Sequence, residues 1–458
     1  MDKRTMMENL VREAHERGAF TGTWLYAENG EIVTKGAVGW RDPENMFPMR
    51  EDSIFDLASV SKNFTATAVM LLQRKGLISL EDEITAFFPE IPYRGVTIRH
   101  LLNHTGGLPD YMDWVGKKAE EENRIPGNDI IVRFLAECGE EAEFAPGEKW
   151  EYSNTGYCLL AQIVEKVSGV PYEEYLEKNI FAPAGMKSTH VLHRRKDGLS
   201  IDNLAYGMVT SFGSDEWVLA DDSPENHHVV PLDGVSGDGL VHSNIFDLLA
   251  WDRALREEKV LTKEEQMMMY TPGKLNSGET TVDSDEDGEP GYGFGWDVLN
   301  DPEHGLIVCH SGGWPGYSTW YQRFVDEDKV LIILRCREDL DFRASDAFFS
   351  GMKAIARGEE PQPVRTLEEL AVRNPDRSGW ESLIGRYDYD NPDIGFAIHE
   401  ILMKDGDLYG KVSYKDRDYE LKIYPLSENI FAFRDTDDFT LDENGLTLWG
   451  VTGKKTEA

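Results

Sequence analysis

Apolar residues follow two different spacings along this chain, alternating at both ends and recurring at helical intervals between them. Residues 6–18 read as a short amphipathic helix. Thr21 to Ala27 and Glu31 to Thr34 then read as strands joined through Asn29-Gly30, a hairpin-turn dipeptide. From Phe64 the spacing turns helical (Phe64, Ala68, Leu71, Leu72) and stops at Arg74-Lys75-Gly76, basic residues followed by glycine. Thr97 to Leu102 continues the helical region, and Thr105-Gly106-Gly107-Leu108-Pro109 breaks it into a loop. Residues 155–168 predict a further helix, with Asn154 as its cap and Gly169 as its stop. Leu240 to Glu257 predicts one more, preceded by Gly234-Val235-Ser236-Gly237-Asp238-Gly239.

Past an acidic, glycine-rich segment at 276–291, read as an exposed loop near the site mouth, alternation returns. Gly293 to Trp296, Leu306 to His310, Tyr317 to Phe324 and Lys329 to Arg335 are the expected strands. Asp326-Glu327-Asp328 turns the last pair into a hairpin, and a helix over about 343–356 closes the unit. Strands at both ends with helices between predict an α/β (α+β) fold: one antiparallel sheet flanked by helices, with a helical insertion over about 57–260. This unit spans 1–357, and 358–378 reads as a linker containing a short charged helix. From 379 to 458 short apolar runs separated by turn dipeptides predict a small antiparallel β domain, barrel- or lipocalin-like, without chemistry of its own.

Composition narrows the partners. The 458 residues carry 47 basic and 84 acidic side chains, a formal charge of −37, which argues against nucleic acid and anionic membrane surfaces. The N-terminal residues lack an apolar signal core, and no stretch reaches the length of a membrane span. Cys138, Cys158, Cys309 and Cys336 are scattered without metal spacing and read as thiols of a reducing compartment. A cytoplasmic location follows as the expectation. A homo-oligomer is left open.

The chemistry is concentrated in a few short motifs. Ser59 and Lys62 stand at i, i+3 where a helix begins, so a hydroxyl and an amine share one face. A helix start favours the neutral amine and any negative charge that develops beside Ser59. Tyr152-Ser153-Asn154 places a phenol and an amide two residues apart. His310-Ser311-Gly312-Gly313 ends a strand in glycines, where backbone N–H groups can approach a substrate. Gly237-Asp238-Gly239-Leu240 offers a similar loop before a helix.

Taken together, Ser59-x-x-Lys62, Tyr152-x-Asn154 and His310-x-Gly312 resemble the three motifs of the serine β-lactamase and penicillin-binding-protein superfamily. The likeness is greatest to the class C branch with its D-alanyl-D-alanine carboxypeptidase, D-aminopeptidase and esterase relatives. His100 to Pro109, Pro146-Gly147 and Pro183-Ala184-Gly185-Met186 extend the resemblance, which covers about 18–345. It implies a transpeptidase-like fold in which Ser59 is the nucleophile and Lys62 and Tyr152 share the base role. Asn154 would orient Lys62 and the substrate amide. The N–H groups of Ser59 and Gly313 would form the oxyanion hole, and His310, Ser311 and Gly312 would bind substrate. Neither metal nor cofactor is implied.

The implied activity is hydrolysis of esters, amides or short peptides through an acyl-enzyme. A β-lactamase or D,D-carboxypeptidase is the alternative, and a non-catalytic acylatable sensor a second one. His310 stands where true class C enzymes have lysine, which weakens recognition of a substrate carboxylate and favours neutral esters or amino-bearing amides. His100, His104, His227 and His228 read as structural or surface residues. Asp283 to Gly288 matches half of a calcium loop but has Phe294 in place of the closing glutamate, so a solvated loop is expected.

Overall fold

The computed structural model describes residues 1–458 except 211–213, 215, 285–287, 339–340, 390–395, 415–416, 435–437, 443–444, 449–450 and 457–458. The central residues of the calcium-loop match (285–287) lie outside the described residues.

A seven-stranded antiparallel sheet forms the body. Its strands are β1 (Gly22–Glu28), β2 (Glu31–Val38), β3 (Gly291–Tyr292), β4 (Asp297–Asp301), β5 (Gly305–Trp314), β6 (Tyr317–Phe324) and β7 (Lys329–Arg335), in the order β3-β4-β5-β6-β7-β1-β2. The chain's first and last large-sheet strands meet where β1 pairs with β7, Trp24 opposite Ile333. Strand alternation sorts the side chains into two layers. Trp24, Tyr26, Ile307 and Ile333 face α1 (Lys3–Glu16) and the helix Phe342–Arg357, which contributes Phe348 and Met352. Leu25, Ala27, Val308 and Ile332 face the helical region, where the core continues into α2 (Lys62–Arg74) and α3 (Asn154–Ser168). With roughly 25 cal/mol for each Å² of apolar surface removed from water, these two faces dominate the stability of the fold.

Several elements differ from expectation. Ser59 lies in a 3-10 turn, Ala58–Ser61, with the α-helix starting only at Lys62. Ala58 has φ +47°, so the chain enters this turn through a conformation that a side chain ordinarily avoids. Ser153, not Asn154, caps α3, its hydroxyl accepting from the Gly156 N–H at 3.2 Å. The expected helix from Leu240 is a strand, Val241–Ser243, followed by α4 (Ile245–Arg256); the Asn244 side chain accepts from two backbone N–H groups and starts the helix there. Val241–Ser243 forms a small sheet with Phe55–Asp56 and His190–Val191, so the 57–260 region is not wholly helical. Gly293 to Trp296 is a bend between β3 and β4.

Residues 358–378 are packed down. Val364 and Leu367 are fully buried, and Arg17 pairs with Glu369 at 3.0 Å. Beyond them lies a nine-stranded antiparallel sheet, nearly closed, whose two ends are consecutive strands, Arg417–Lys422 and Tyr424–Pro425. Phe396–Lys404, Asp438–Asp442 and Val451–Thr456 are strands that the apolar pattern does not reveal. Trp380, Ile401, Phe431, Phe439 and Leu446 fill its separate core.

Candidate active site

Two segments converge on the 3-10 turn. Strand β5 runs alongside it at Gly312, and α3 begins opposite Lys62. β4 pairs only with residues 305–309 of β5, so among the described strands the edge from His310 to Trp314 has no partner on that side. Gly312 is required by this approach. A Cβ there would collide with the Thr319 hydroxyl and the Leu57 carbonyl and sit 3.3 Å from the Ser59 nitrogen. The neighbouring Gly313 opens onto a cavity of about 60 Å³ that Ser59, Asn154 and Trp314 also line.

Lys62 is fully buried and held at three points. Its Nζ lies 3.1 Å from Ser59 Oγ, 2.8 Å from Asn154 Oδ1 and 2.9 Å from the Asp238 carbonyl oxygen. The last two atoms can only accept, so they use two amine hydrogens. The third position of the nitrogen faces the Ser59 hydroxyl. Burial lowers the Lys62 pKa to about 8, against the opposing pull of Asp238. The neutral amine therefore has its lone pair directed at the serine proton.

Tyr152 completes the near side of the site. Lys62 Nζ stands 4.8 Å from its ring centre, and its hydroxyl faces the Ser59 side chain. Burial raises its pKa well above the ordinary 10, so the phenol stays protonated. His104 packs on Tyr152 with ring centres 4.4 Å apart, and its Nδ1 accepts from the Ser153 N–H at 3.0 Å. That contact ties the Tyr152-Ser153-Asn154 segment to the loop after residue 102.

His310 sits behind the site and does not line the cavity. It is 2% exposed, its Nδ1 donates to the Ser311 carbonyl at 2.6 Å, and its Nε2 accepts from the Tyr292 hydroxyl at 2.9 Å. Burial and the nearby Lys62 lower its pKa to about 3. It is neutral and hydrogen-bonded to Tyr292 and Ser311. Ser311 follows Cys309 in strand alternation and so lies on the sheet face opposite His310 and Gly312; its carbonyl is what the His310 ring uses.

Ser59, Lys62, Tyr152, Asn154, Gly312 and Gly313 are thus brought together; His310 is buried beside them with its ring 6.3 Å from that of Tyr152, and Ser311 lies on the other sheet face. Sequence reading missed Tyr292, Tyr111 and Trp314, and read His104 as structural or surface, which its buried packing on Tyr152 matches. Trp314, one residue past Gly313, carried a signal in the continued motif; Tyr292 and Tyr111 are isolated aromatic positions with none.

Residues 7–349 match the beta-lactamase family over three quarters of the chain. The chain belongs to the beta-lactamase family. Among its relatives is "Penicillin-binding protein 4*" of Bacillus subtilis (strain 168), 38% identical over 97% of this chain and 95% of that protein. Two solved family-like structures share the fold. The octameric penicillin-binding protein homologue from Pyrococcus abyssi has a TM-score of 0.66 and 23% identity, covering 99% of this chain and 100% of that one. D-amino acid amidase from Ochrobactrum anthropi SV3, complexed with L-phenylalanine amide, gives a TM-score of 0.61 and 24% identity over 73% of this chain and 92% of that one. The likeness to the Pyrococcus structure therefore extends through the C-terminal sheet, which lies beyond the matched family region.

Proposed function

We propose that this protein is a serine hydrolase that acts on amides, short peptides or esters through an acyl-enzyme at Ser59. The observation that carries this reading is the buried Lys62 amine, 3.1 Å from Ser59 Oγ with its other hydrogens spent on fixed acceptors. With a pKa of about 8, roughly a tenth of the lysine is neutral at pH 7, enough for a general base. Tyr152 holds its proton too tightly to serve as that base, so it hands a proton to the leaving group and is refilled from Lys62. As Ser59 Oγ attacks, its proton passes to Lys62 and the carbonyl π electrons move onto oxygen. The N–H groups of Ser59 and Gly313 receive that oxyanion. Collapse expels the amine or alcohol, and water then repeats the attack on the ester.

A penicillin-binding role is the second reading, favoured by the name of the Bacillus relative. Against it, no lysine or arginine lines the cavity among the described residues, and His310 is neutral, so a β-lactam carboxylate meets no fixed cation there. Steady-state turnover of p-nitrophenyl acetate, alanine amides and nitrocefin tests the choice. Hydrolysis of the ester or amides that disappears in Ser59→Ala supports the proposal. Turnover that survives the substitution overturns it, and a kcat/KM highest for nitrocefin restores the second reading.

A further inference from the structure

One buried residue holds the chain on both sides of Tyr152. The His104 carbonyl accepts from the Glu151 N–H at 3.0 Å, and its ring Nδ1 accepts from the Ser153 N–H at 3.0 Å. Residues 149–153 belong to no helix or strand, so no regular backbone ladder sets their register. The His104 ring also packs on the Tyr152 ring, centres 4.4 Å apart, while Tyr292, Tyr157 and Trp150 enclose it at 4.6, 5.0 and 6.1 Å.

The local chemistry works against this arrangement and yet keeps it. His104 has φ +58°, a left-handed conformation that few residues with a side chain adopt, histidine and asparagine being among the more frequent. Because Nδ1 accepts, the one ring proton sits on Nε2, and that buried N–H has no hydrogen-bond partner among the described residues. An unpaired buried N–H is unfavourable, and leucine or phenylalanine would fill the space without one. Packing alone leaves the polar ring unexplained; the Nδ1 acceptor explains it. Burial and the neighbouring Lys62 keep the ring's pKa well below 6.5, so it remains an acceptor while Lys62 titrates at about 8.

His104 does not line the cavity beside Ser59. It reaches the reaction through Tyr152, whose hydroxyl faces the Ser59 side chain. Resting on the serine-hydrolase reading above, we propose that His104 is a positioning residue for acyl transfer, holding the Tyr152 hydroxyl where it can protonate the departing group. Loosening that hold weakens proton delivery and leaves the acyl site intact. The defect is greatest for a basic leaving group. A p-nitrophenolate departs without a proton, whereas a phenolate, with a conjugate acid of pKa about 10, gains from one.

The test measures kcat/KM for phenyl acetate and p-nitrophenyl acetate in the wild type, His104→Leu, His104→Asn, His104→Gln, Tyr152→Phe and the double variant His104→Leu/Tyr152→Phe. His104→Leu should lower the phenyl acetate value by about 10²-fold and the p-nitrophenyl acetate value by about tenfold or less. Asparagine tolerates the left-handed backbone and puts an acceptor where Nδ1 stands, so His104→Asn should stay within about tenfold of the wild type. Glutamine puts its amide at the Nε2 position and should be as slow as leucine. Adding His104→Leu to Tyr152→Phe should cost about threefold or less, since both act through one hydroxyl. Equal losses on the two esters, or an additive loss in the double variant, overturn the inference. If His104→Leu does not fold, equal rates in the asparagine and glutamine variants overturn it. Use of p-nitrophenyl acetate alone by the wild type, with no proton delivered to phenolate, overturns it too. A wild type that fails to label with a fluorophosphonate at Ser59 would instead remove the serine-hydrolase reading.

Discussion

At the scale of single residues, the account turns on protons. Because Lys62 must be neutral to accept one and titrates at about 8, kcat/KM for an uncharged ester should rise with pH and level off above that value. Lys62→Met should lower acylation by about 10² or more; a rate near wild type would remove Lys62 from the proton path. His310 makes a separate prediction. Its pKa of about 3 in the folded protein lies below the ordinary 6.5, so protons bind the unfolded chain more readily. The resulting stability is fully present above about pH 6.5 and drains away as pH falls toward 3. Denaturant midpoints from pH 7 to 4 should fall less in His310→Gln than in the wild type, provided the variant folds at pH 7; parallel curves would contradict the assignment. Ser59, Lys62, Tyr152 and Asn154 could be picked out in the sequence because two short motifs, in order with a third, resemble those of a known family; the spacing of Ser59 and Lys62 alone would not have done so. The neutral state of His310 was not legible, since it depends on Tyr292 and on burial, both products of folding.

At the scale of elements, close approach decides what each segment can be. Gly312 lets β5 lie against the 3-10 turn, and Gly312→Ala should push them apart. We expect a loss of about 1–3 kcal/mol from overpacking and a disproportionate fall in Ser59 labelling. Labelling at the wild-type rate would show that the glycine is dispensable. The apolar spacing located five of the seven strands of the large sheet, because those bury alternate residues on two different layers, and missed the short strands β3 and β4 at one edge, placing a strand at the bend between them. It failed at Leu240, where the strand Val241–Ser243 is too short to show alternation and runs almost directly into the apolar first turn of α4. Only Asn244, a capping residue, marks the boundary. In the C-terminal sheet, strands such as Phe396–Lys404 end in charged residues and blur the alternation.

At the scale of the whole molecule, the C-terminal sheet is both separate and attached. It has its own core, yet the Tyr419 hydroxyl donates to Glu225 at 2.9 Å, and Glu225 lies just before the segment whose Leu232 and Val235 wall the cavity. We propose 379–458 as a domain of its own, with 358–378 belonging to the packed body, because Val364 and Leu367 are buried there. A chain ending at residue 378 should keep labelling at Ser59. One ending at Arg357 uncovers Val364's site and should melt at a lower temperature, each apolar side chain lost from a core costing about 1.5–3 kcal/mol. Equal melting of the two chains would contradict the boundary. Among the described residues no helix is long and apolar enough to cross a membrane.

The central claim is an acyl-enzyme on one serine, and a mass measurement reaches it directly. After treatment with a fluorophosphonate, the intact protein should gain one adduct, peptide mapping should place it on Ser59, and Ser59→Ala should abolish it. An adduct on another residue, or one that persists in Ser59→Ala, would contradict the account.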